Sequence, residues 1–191
     1  MNAAEHEKNF WGNCCNTYQE EEKHYKLLRF LGLDYYLKNR YWIQAPAENI
    51  LDVGGGPTSI LLKTIGLKKG KIVDPLEYPF WVVQRYSAHN IEYDQKPAED
   101  MFESGWGEVW MYNVLQHCID PEKIIKNCLK AGKIFRFFDW IDTPIYDGHP
   151  HSLSAAQLDN WMGQPGTVID LPEWGYWEVP NPVGYYSIVY S

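Results

Sequence analysis

Residues 49–61 read NILDVGGGPTSIL, and this segment decides the fold of the chain. An apolar run that ends at Val53 has the composition of a short buried strand, and three glycines follow it directly. Glycines allow positive φ angles and let a ligand approach the backbone closely. A second apolar run, after Pro57, predicts a helix over residues 59–65. The segment therefore predicts a strand, a tight turn and a helix start, whose unsatisfied amides favour a polar or anionic group of a ligand.

The glycine turn lacks the features of two phosphate-binding motifs. A P-loop ends in Gly-Lys-Ser/Thr, but the first lysine after Gly56 is Lys63. The dinucleotide fingerprint has a further glycine three residues later, and Ser59 occupies that position here. Two interpretations remain at this point: a turn that binds another kind of ligand, and a tight strand-to-helix turn that binds none.

The composition narrows the class of protein. A chain of 191 residues, 45% of them hydrophobic, is long enough for one globular domain with a sizeable core. The net charge of −8 argues against sequence-independent binding to nucleic acid, which depends on Lys and Arg neutralising phosphates. No apolar run has the length of a transmembrane helix, and the first ten residues lack the pattern of a signal peptide. We therefore predict a cytoplasmic protein that binds neither membranes nor nucleic acid.

Strand and helix patterns alternate along the rest of the chain. The residues up to about 40 are predicted to be largely helical, with apolar positions at helical spacing over residues 25–31. Asp120 and Pro121 mark the N-cap and the first position of a later helix. Apolar runs predict further strands over residues 71–74, 91–93, 109–112, 133–139, 167–171 and 185–190. This order predicts a doubly wound α/β domain.

Three groups of residues resemble the motifs of class I S-adenosylmethionine (SAM) dependent methyltransferases. They are the Asp-x-Gly-x-Gly pattern that begins at Asp52, the acidic Asp74 at the end of the next predicted strand, and the N-V-L-Q-H run of residues 113–117. The last run matches the subgroup of small-molecule type whose pattern is N-V-L-x-H-x-x-D-P. The resemblance extends from residue 49 to the end of the sequence.

The resemblance implies a fold and a domain organisation. It implies a Rossmann-like, doubly wound sheet that is mostly parallel with an antiparallel last strand. Residues 46–191 would form this methyltransferase domain, and residues 1–45 would form a helical extension that is a candidate lid. We predict a single domain overall.

The resemblance also implies a SAM site. The glycine turn would hold the amino-acid tail, and Asp74 would accept hydrogen bonds from the ribose hydroxyls. The adenine edge would be recognised mainly by the backbone of residues 98–99, since Pro97 replaces the Asp that many members have. Asn113 is a candidate contact for the methionine portion or for the acceptor. The complete set of implied cofactor contacts is Asp52, Gly54, Gly55, Gly56, Asp74, Pro75, Ala98, Glu99, Asn113 and Val114.

Histidines are the candidate catalytic groups. His117 lies in the N-V-L-Q-H run, and His149 and His151 lie in a long loop after a predicted strand. Imidazole is suited to general-base work near neutrality. The recurrence of the His117 position among subgroup members with different substrates also fits a structural role. His149 and His151 have no third ligand at a convincing spacing, so we predict no metal site.

The resemblance implies an enzyme that transfers a methyl group from SAM to a small-molecule or glycan-like acceptor. Transfer to protein or nucleic acid is an alternative, although the residues after Asn113 lack the Pro-Pro-Tyr/Phe continuation of amino-methylating DNA enzymes. A non-catalytic or NAD-binding Rossmann domain is another alternative, against which Ser59 in place of glycine argues. Binding of SAM but not NAD would separate these classes.

Overall fold

The computed structural model describes residues 3–39, 42–174 and 181–191. Within these ranges no helix is both long and apolar enough to cross a membrane. The helices are α1 (Ala3–Trp11), α2 (Tyr18–Leu27), α3 (Phe80–Ala88), α4 (Pro121–Ala131) and α5 (Ala155–Met162), and 3₁₀ turns include Gly56–Thr58 and Ile60–Lys63. The strands are β1 (Ile43–Gln44), β2 (Asn49–Val53), β3 (Thr64–Ile65), β4 (Lys69–Asp74), β5 (Ile91–Gln95), β6 (Trp106–Tyr112), β7 (Gly132–Ile141), β8 (Thr167–Asp170) and β9 (Val183–Tyr190).

A seven-stranded sheet organises the molecule, in the order β5-β4-β2-β6-β7-β9-β8. Strands β5, β4, β2, β6 and β7 run parallel, and β9 is antiparallel to both of its neighbours. The predicted doubly wound, mostly parallel sheet with an antiparallel last strand is therefore confirmed. The strand order reverses between β2 and β6, and ligands of open α/β sheets bind beyond the carboxyl ends of the strands at such a reversal.

Two apolar layers cover the sheet. Helices α4 and α5 pack on one face, where Ile125 and Leu158 belong to the same buried apolar cluster as strand residues such as Phe137. Helix α3 and residues 27–33 pack on the other face, around the fully buried Trp110. The N-terminal part of the chain therefore contributes directly to the second layer, because without it the apolar side chains on that face would contact water.

The predicted helix over residues 59–65 is wrong. Two 3₁₀ turns and β3 occupy this segment, and β3 pairs with β1 in a small parallel sheet. The backbone amides of Ser59 and Ile60 donate to the hydroxyls of Tyr86 and Tyr112, at 3.1 and 3.0 Å. Distant side chains thus satisfy donors that a helix start leaves without intrahelical partners, and the chain proceeds to β4 without a helix.

The N-terminal segment is less helical than predicted. Its second helix ends at Leu27, and the chain continues through turns across the sheet. A buried ion pair holds it there: Arg136 of β7 makes two hydrogen bonds with Glu108 of β6, at 2.7 and 2.9 Å. The same guanidinium donates to the carbonyl oxygen of Leu31 at 2.8 Å. One side chain therefore joins two central strands to the N-terminal segment.

Candidate active site

A cleft of about 770 Å³ opens at the carboxyl ends of β2, β4 and β6, where the strand order reverses. Its volume is within the usual range for sites that enclose a small ligand. Two of the residues predicted for the site, Asp52 and His151, do not line it. The predicted residues that do line it are Gly54, Gly55, Gly56, Asp74, Pro75, Ala98, Glu99, Asn113, Val114, His117 and His149.

The glycine turn has the geometry that requires glycine. Gly54 has a φ of +72°, and a Cβ built there would lie 2.5 Å from a methyl carbon of Val114. Gly56 has a φ of +59°, and a Cβ there would lie 3.3 Å from the Trp11 ring. Larger residues would be strained in this conformation and would fill the floor of the cleft. The turn therefore keeps backbone exposed to a ligand between Val114 and Trp11.

Asp52 lies behind the turn. One carboxylate oxygen accepts hydrogen bonds from Ser59 Oγ at 2.5 Å and from Tyr112 Oη at 2.7 Å. The other oxygen is buried without a hydrogen-bond partner among the described residues. Burial raises the pKa of Asp52 to about 7, although both hydrogen bonds oppose the shift. The structure thus places this acid where it shapes the turn rather than where it faces a ligand.

The raised pKa of Asp52 predicts how the free energy of unfolding depends on pH. The folded protein binds the Asp52 proton more tightly than the unfolded chain, whose pKa is near 3.8. The free energy of unfolding therefore falls as the pH rises from about 4 to about 7, and the loss is complete above that. We expect Asp52→Asn to remove a pH-dependent loss of about 2–4 kcal/mol across this range. Urea unfolding at a series of pH values measures it.

The exposed Asp170 supplies the control for that measurement, since Asp170→Asn should leave the slope of the wild type. Asp74, whose pKa burial raises to about 6, adds a slope of the same sign that Asp52→Asn should retain. An Asp52→Asn protein with the full wild-type dependence would contradict the assignment of the slope to Asp52.

Asp74 ends β4 at the cleft. Its carboxylate accepts hydrogen bonds from the amide of Gly56 at 3.1 Å, the amide of Leu76 at 3.0 Å and the hydroxyl of Tyr78 at 3.2 Å. Each carboxylate oxygen has about two acceptor sites, so acceptor capacity remains for a ligand. Asp74 therefore ties the glycine turn to the end of β4 and stays available to hydroxyl donors in the cleft.

The loop of residues 98–99 is fixed from two sides. Glu99 Oε1 accepts hydrogen bonds from the amides of Ile119 and Asp120, at 2.9 and 3.2 Å. Asn127 Nδ2 donates to the carbonyl oxygens of Ala98 and Glu99, both at 3.1 Å. The Glu99 carboxylate thus joins this loop to the start of α4, and both residues of the loop line the cleft.

Asp139, the last residue of a strand predicted from the sequence, organises the loop after β6. This fully buried residue accepts hydrogen bonds from the amides of Val114 and Leu115, at 3.1 and 2.8 Å, and from the side-chain amide of Gln116 at 3.1 Å. Asn113 begins the loop with a φ of +57°, which asparagine tolerates better than most residues. Asp139 therefore holds the segment that carries the candidate residues 113–117.

The three predicted histidines have different surroundings. His117 and His149 line the cleft with their ring centroids 4.6 Å apart. Burial, together with the nearby His117 and His6, lowers the pKa of His149 to about 3. His151 lies 2.8 Å from the Cys118 carbonyl oxygen through Nε2, outside the cleft lining. The structure thus brings two of the three together at the cleft.

Helix α1 covers the same end of the cleft. The sequence predicted a candidate lid here but did not identify the residues of α1 that line the cleft. His6, Glu7, Phe10 and Trp11 line the cleft. A Cβ at Gly148 would lie 2.5 Å from His6 Nδ1, so the loop of residues 145–150 approaches the helix closely only because glycine stands there. The cleft is therefore enclosed by the glycine turn on one side and by α1 with this loop on the other.

No family model matches the chain, and no curated protein matches it. The chain is, however, similar to solved structures. A SAM-dependent methyltransferase from Aquifex aeolicus is 18% identical, with a TM-score of 0.56 over 86% of this chain and 88% of that one. The 1,6-didemethyltoxoflavin-N1-methyltransferase from Burkholderia thailandensis, with bound 1,6-didemethyltoxoflavin and S-adenosylhomocysteine, is 13% identical, with a TM-score of 0.58 over 100% and 92%.

A magnesium protoporphyrin IX methyltransferase from Synechocystis with bound SAM is 12% identical, with a TM-score of 0.59 over 90% of this chain and 80% of that one. Identities this low establish the fold alone. The chain has the Rossmann-like fold of these methyltransferases.

Proposed function

We propose that the protein is a SAM-dependent methyltransferase with a small-molecule acceptor. One arrangement carries the proposal: the glycine turn, Asp74, residues 98–99 and Asn113 line a single cleft at the reversal of strand order. The fold that surrounds this cleft is shared with solved methyltransferases, two of which hold SAM or S-adenosylhomocysteine.

The residues of the cleft fit the cofactor. The turn at Gly54 has no room for a Cβ, so backbone can approach the amino-acid tail, beside Asn113 and Val114. Asp74, with Pro75 next to it, would take the ribose hydroxyls. The backbone of residues 98–99 would take the adenine edge. Asp52 would act through Ser59 and Tyr112 on the shape of the turn.

An NAD-binding function is less well supported. A pyrophosphate is held in Rossmann domains by the N-terminus of the helix after the glycine turn. Here 3₁₀ turns replace that helix, and the Ser59 hydroxyl is bonded to Asp52. The positive end of a helix dipole is therefore missing from the position that a dinucleotide would use.

A small acceptor suits the enclosed cleft. Its lining includes the aromatic rings of Tyr112, Trp140 and Trp174, and the charge of −8 opposes a phosphate backbone. When bound, SAM supplies a methyl group that is already activated on a sulfonium sulfur. The residues of this chain need to orient the acceptor and exclude water. The candidate bases are still His117, His149 and His151. Of these, His117 has the contacts that suit a base best.

We also propose that residues 46–191 form the catalytic domain and residues 1–45 an extension whose first helix is a lid. None of the residues of α1 is buried, although His6, Glu7 and Trp11 line the cleft. A helix that covers a site but contributes little to the core can open at low energetic cost.

Calorimetric titration with S-adenosylhomocysteine tests the proposed cofactor. We expect micromolar binding by the wild type and a loss of about tenfold or more in Asp74→Ala, which corresponds to about 1.4 kcal/mol. The cause would be the lost hydroxyl acceptor together with a turn no longer tied at Gly56. Asp170→Ala removes an exposed carboxylate on β8 and should bind as the wild type does. A folded wild type that binds NAD, or binds neither compound, would overturn the proposal.

A further inference from the structure

Two oxygen atoms fix the tautomer of His117. Its Nδ1 lies 2.8 Å from the carbonyl oxygen of Gly148 and 3.2 Å from Glu7 Oε1. A carbonyl oxygen and a carboxylate oxygen only accept hydrogen bonds, so Nδ1 must carry the proton. Nε2 then keeps the lone pair. His117, which lines the cleft, therefore has a proton acceptor at Nε2.

The other histidines of this region are less suited to accept a proton. His149 Nε2 is 3.0 Å from the Tyr146 hydroxyl, and the low pKa of His149 leaves it a weak base. His151 uses Nε2 to donate to the Cys118 carbonyl, and it does not line the cleft. The far nitrogen of His117 donates to a backbone carbonyl oxygen, which orients the ring, and a carboxylate oxygen 3.2 Å from this nitrogen would stabilise the protonated form.

We propose that His117 is a general base, that Glu7 of α1 is its positioning residue, and that the acceptor presents a phenolic hydroxyl to His117 Nε2. This inference rests on the proposed methyltransferase function. A phenol, with an ordinary pKa near 10, gives up its proton to an imidazole more readily than an aliphatic alcohol does as bond formation proceeds. The aromatic rings of Tyr112, Trp140 and Trp174 in the same cleft suit a flat apolar ring.

In the proposed methyl transfer, two bonds break and two bonds form. The phenolic O–H bond breaks, and its proton passes to His117 Nε2. The acceptor oxygen forms its new bond to the methyl carbon, and the carbon–sulfur bond breaks with its electron pair remaining on sulfur. The imidazolium that results carries its positive charge 3.2 Å from the Glu7 carboxylate and releases the proton to solvent. The products are a methyl ether, a neutral thioether and a proton.

Several titratable groups surround this imidazole. Helix α1 contributes Glu7 and His6, the loop of residues 145–150 contributes Tyr146 and His149, and Asp139 and Cys118 lie on the sheet side. Among them Glu7 is the carboxylate in contact with the ring. Because Glu7 is on α1, the base is complete only when α1 covers the cleft.

Nitrogen-15 NMR of the histidine side chains tests the inference without any acceptor. In the wild type, the neutral His117 ring should show a protonated Nδ1 and a lone pair on Nε2. In Glu7→Gln the resonance of His117 Nδ1 should shift, because the carboxylate oxygen 3.2 Å from this atom is lost. Glu5→Gln makes the same change on the exposed side of the same helix, away from the cleft, and should leave that resonance unchanged. S-adenosylhomocysteine should bind Glu7→Gln within about threefold of the wild type.

Methyl transfer from labelled SAM to matched pairs of phenols and anilines tests the acceptor class. We expect methyl ethers, with kcat about tenfold lower in Glu7→Gln, KM nearly unchanged, and recovery in Glu7→Asp. A lone pair on Nδ1, an unchanged Nδ1 resonance in Glu7→Gln, or methylation of the anilines in preference to the phenols would each overturn the inference. Loss of S-adenosylhomocysteine binding in Glu7→Gln would assign Glu7 to the cofactor instead. Failure of the wild type to bind it would defeat the proposed function itself.

Discussion

Replacing Arg136 with methionine is expected to lower the free energy of unfolding by about 3–5 kcal/mol, because the change leaves the Glu108 carboxylate buried without its charged partner. Glu108 is 2% exposed and Arg136 5% exposed, so water cannot replace the lost hydrogen bonds. The substitution also removes the donor to the Leu31 carbonyl oxygen. Urea unfolding followed by tryptophan fluorescence measures the loss.

Two comparisons separate charge burial from the other effects of this change. The double variant Glu108→Gln, Arg136→Met removes both charges and should recover a large part of the loss. Arg29→Met breaks an ion pair with Glu173 whose side chains are both 55% exposed, and it should cost no more than about 1 kcal/mol. A loss below about 1 kcal/mol in Arg136→Met would show that the buried pair is not what joins the N-terminal segment to the sheet.

Gly54→Ala is expected to lower the affinity for S-adenosylhomocysteine by at least about a hundredfold, or about 2.7 kcal/mol. At the φ of +72° an alanine is strained, and its methyl group would overlap Val114 Cγ2, 2.5 Å away. The turn must then move, and with it the backbone that faces the cleft. Titration calorimetry on protein with a native circular dichroism spectrum measures the change.

Gly163 offers a matched control for this substitution. It has the same φ of +72° at the end of α5, but no atom of the described residues lies within 4 Å of the position of a Cβ. Gly163→Ala should therefore cost about 1 kcal/mol of stability through strain alone and leave ligand affinity unchanged. The double variant Gly54→Ala, Val114→Ala relieves the overlap and should recover part of the affinity. Equal affinity in Gly54→Ala and the wild type would remove the glycine turn from the site.

Local signals in the sequence predicted most of the fold. The apolar runs identified the strands of the main sheet to within a few residues, and Asp120 does cap α4 by accepting from the Lys123 amide at 3.0 Å. The helix over residues 59–65 was predicted wrongly because its alternative depends on the hydroxyls of Tyr86 and Tyr112. Those residues are 27 and 52 positions away from the amides they bind, beyond the reach of any local pattern.

In the candidate site, too, the residues with a local signal in the sequence could be predicted, and those that depend on distant contacts could not. Residues of the glycine turn, Asp74 and Asn113 are recognisable because each follows a strand whose end points to the same edge of the sheet. Glu7 was not recognisable, since it meets His117 across 110 positions of sequence. Asp139 ends a predicted strand, but its hydrogen bonds to the loop after β6 could not be predicted, because they depend on the pairing of β6 with β7.

The hydrogen bond from Arg136 to Leu31 also joins two parts of the chain that are synthesised at different times. The two residues are 105 positions apart, so during synthesis at 5–20 residues per second the segment of residues 27–33 leaves the ribosome about 5–20 s before its partner strand. The Leu31 carbonyl oxygen therefore lacks its guanidinium donor throughout that interval. The N-terminal segment completes its contacts with the sheet only after β7 has been made, so we expect contacts between distant parts of the sequence, rather than helix formation, to limit the rate of folding.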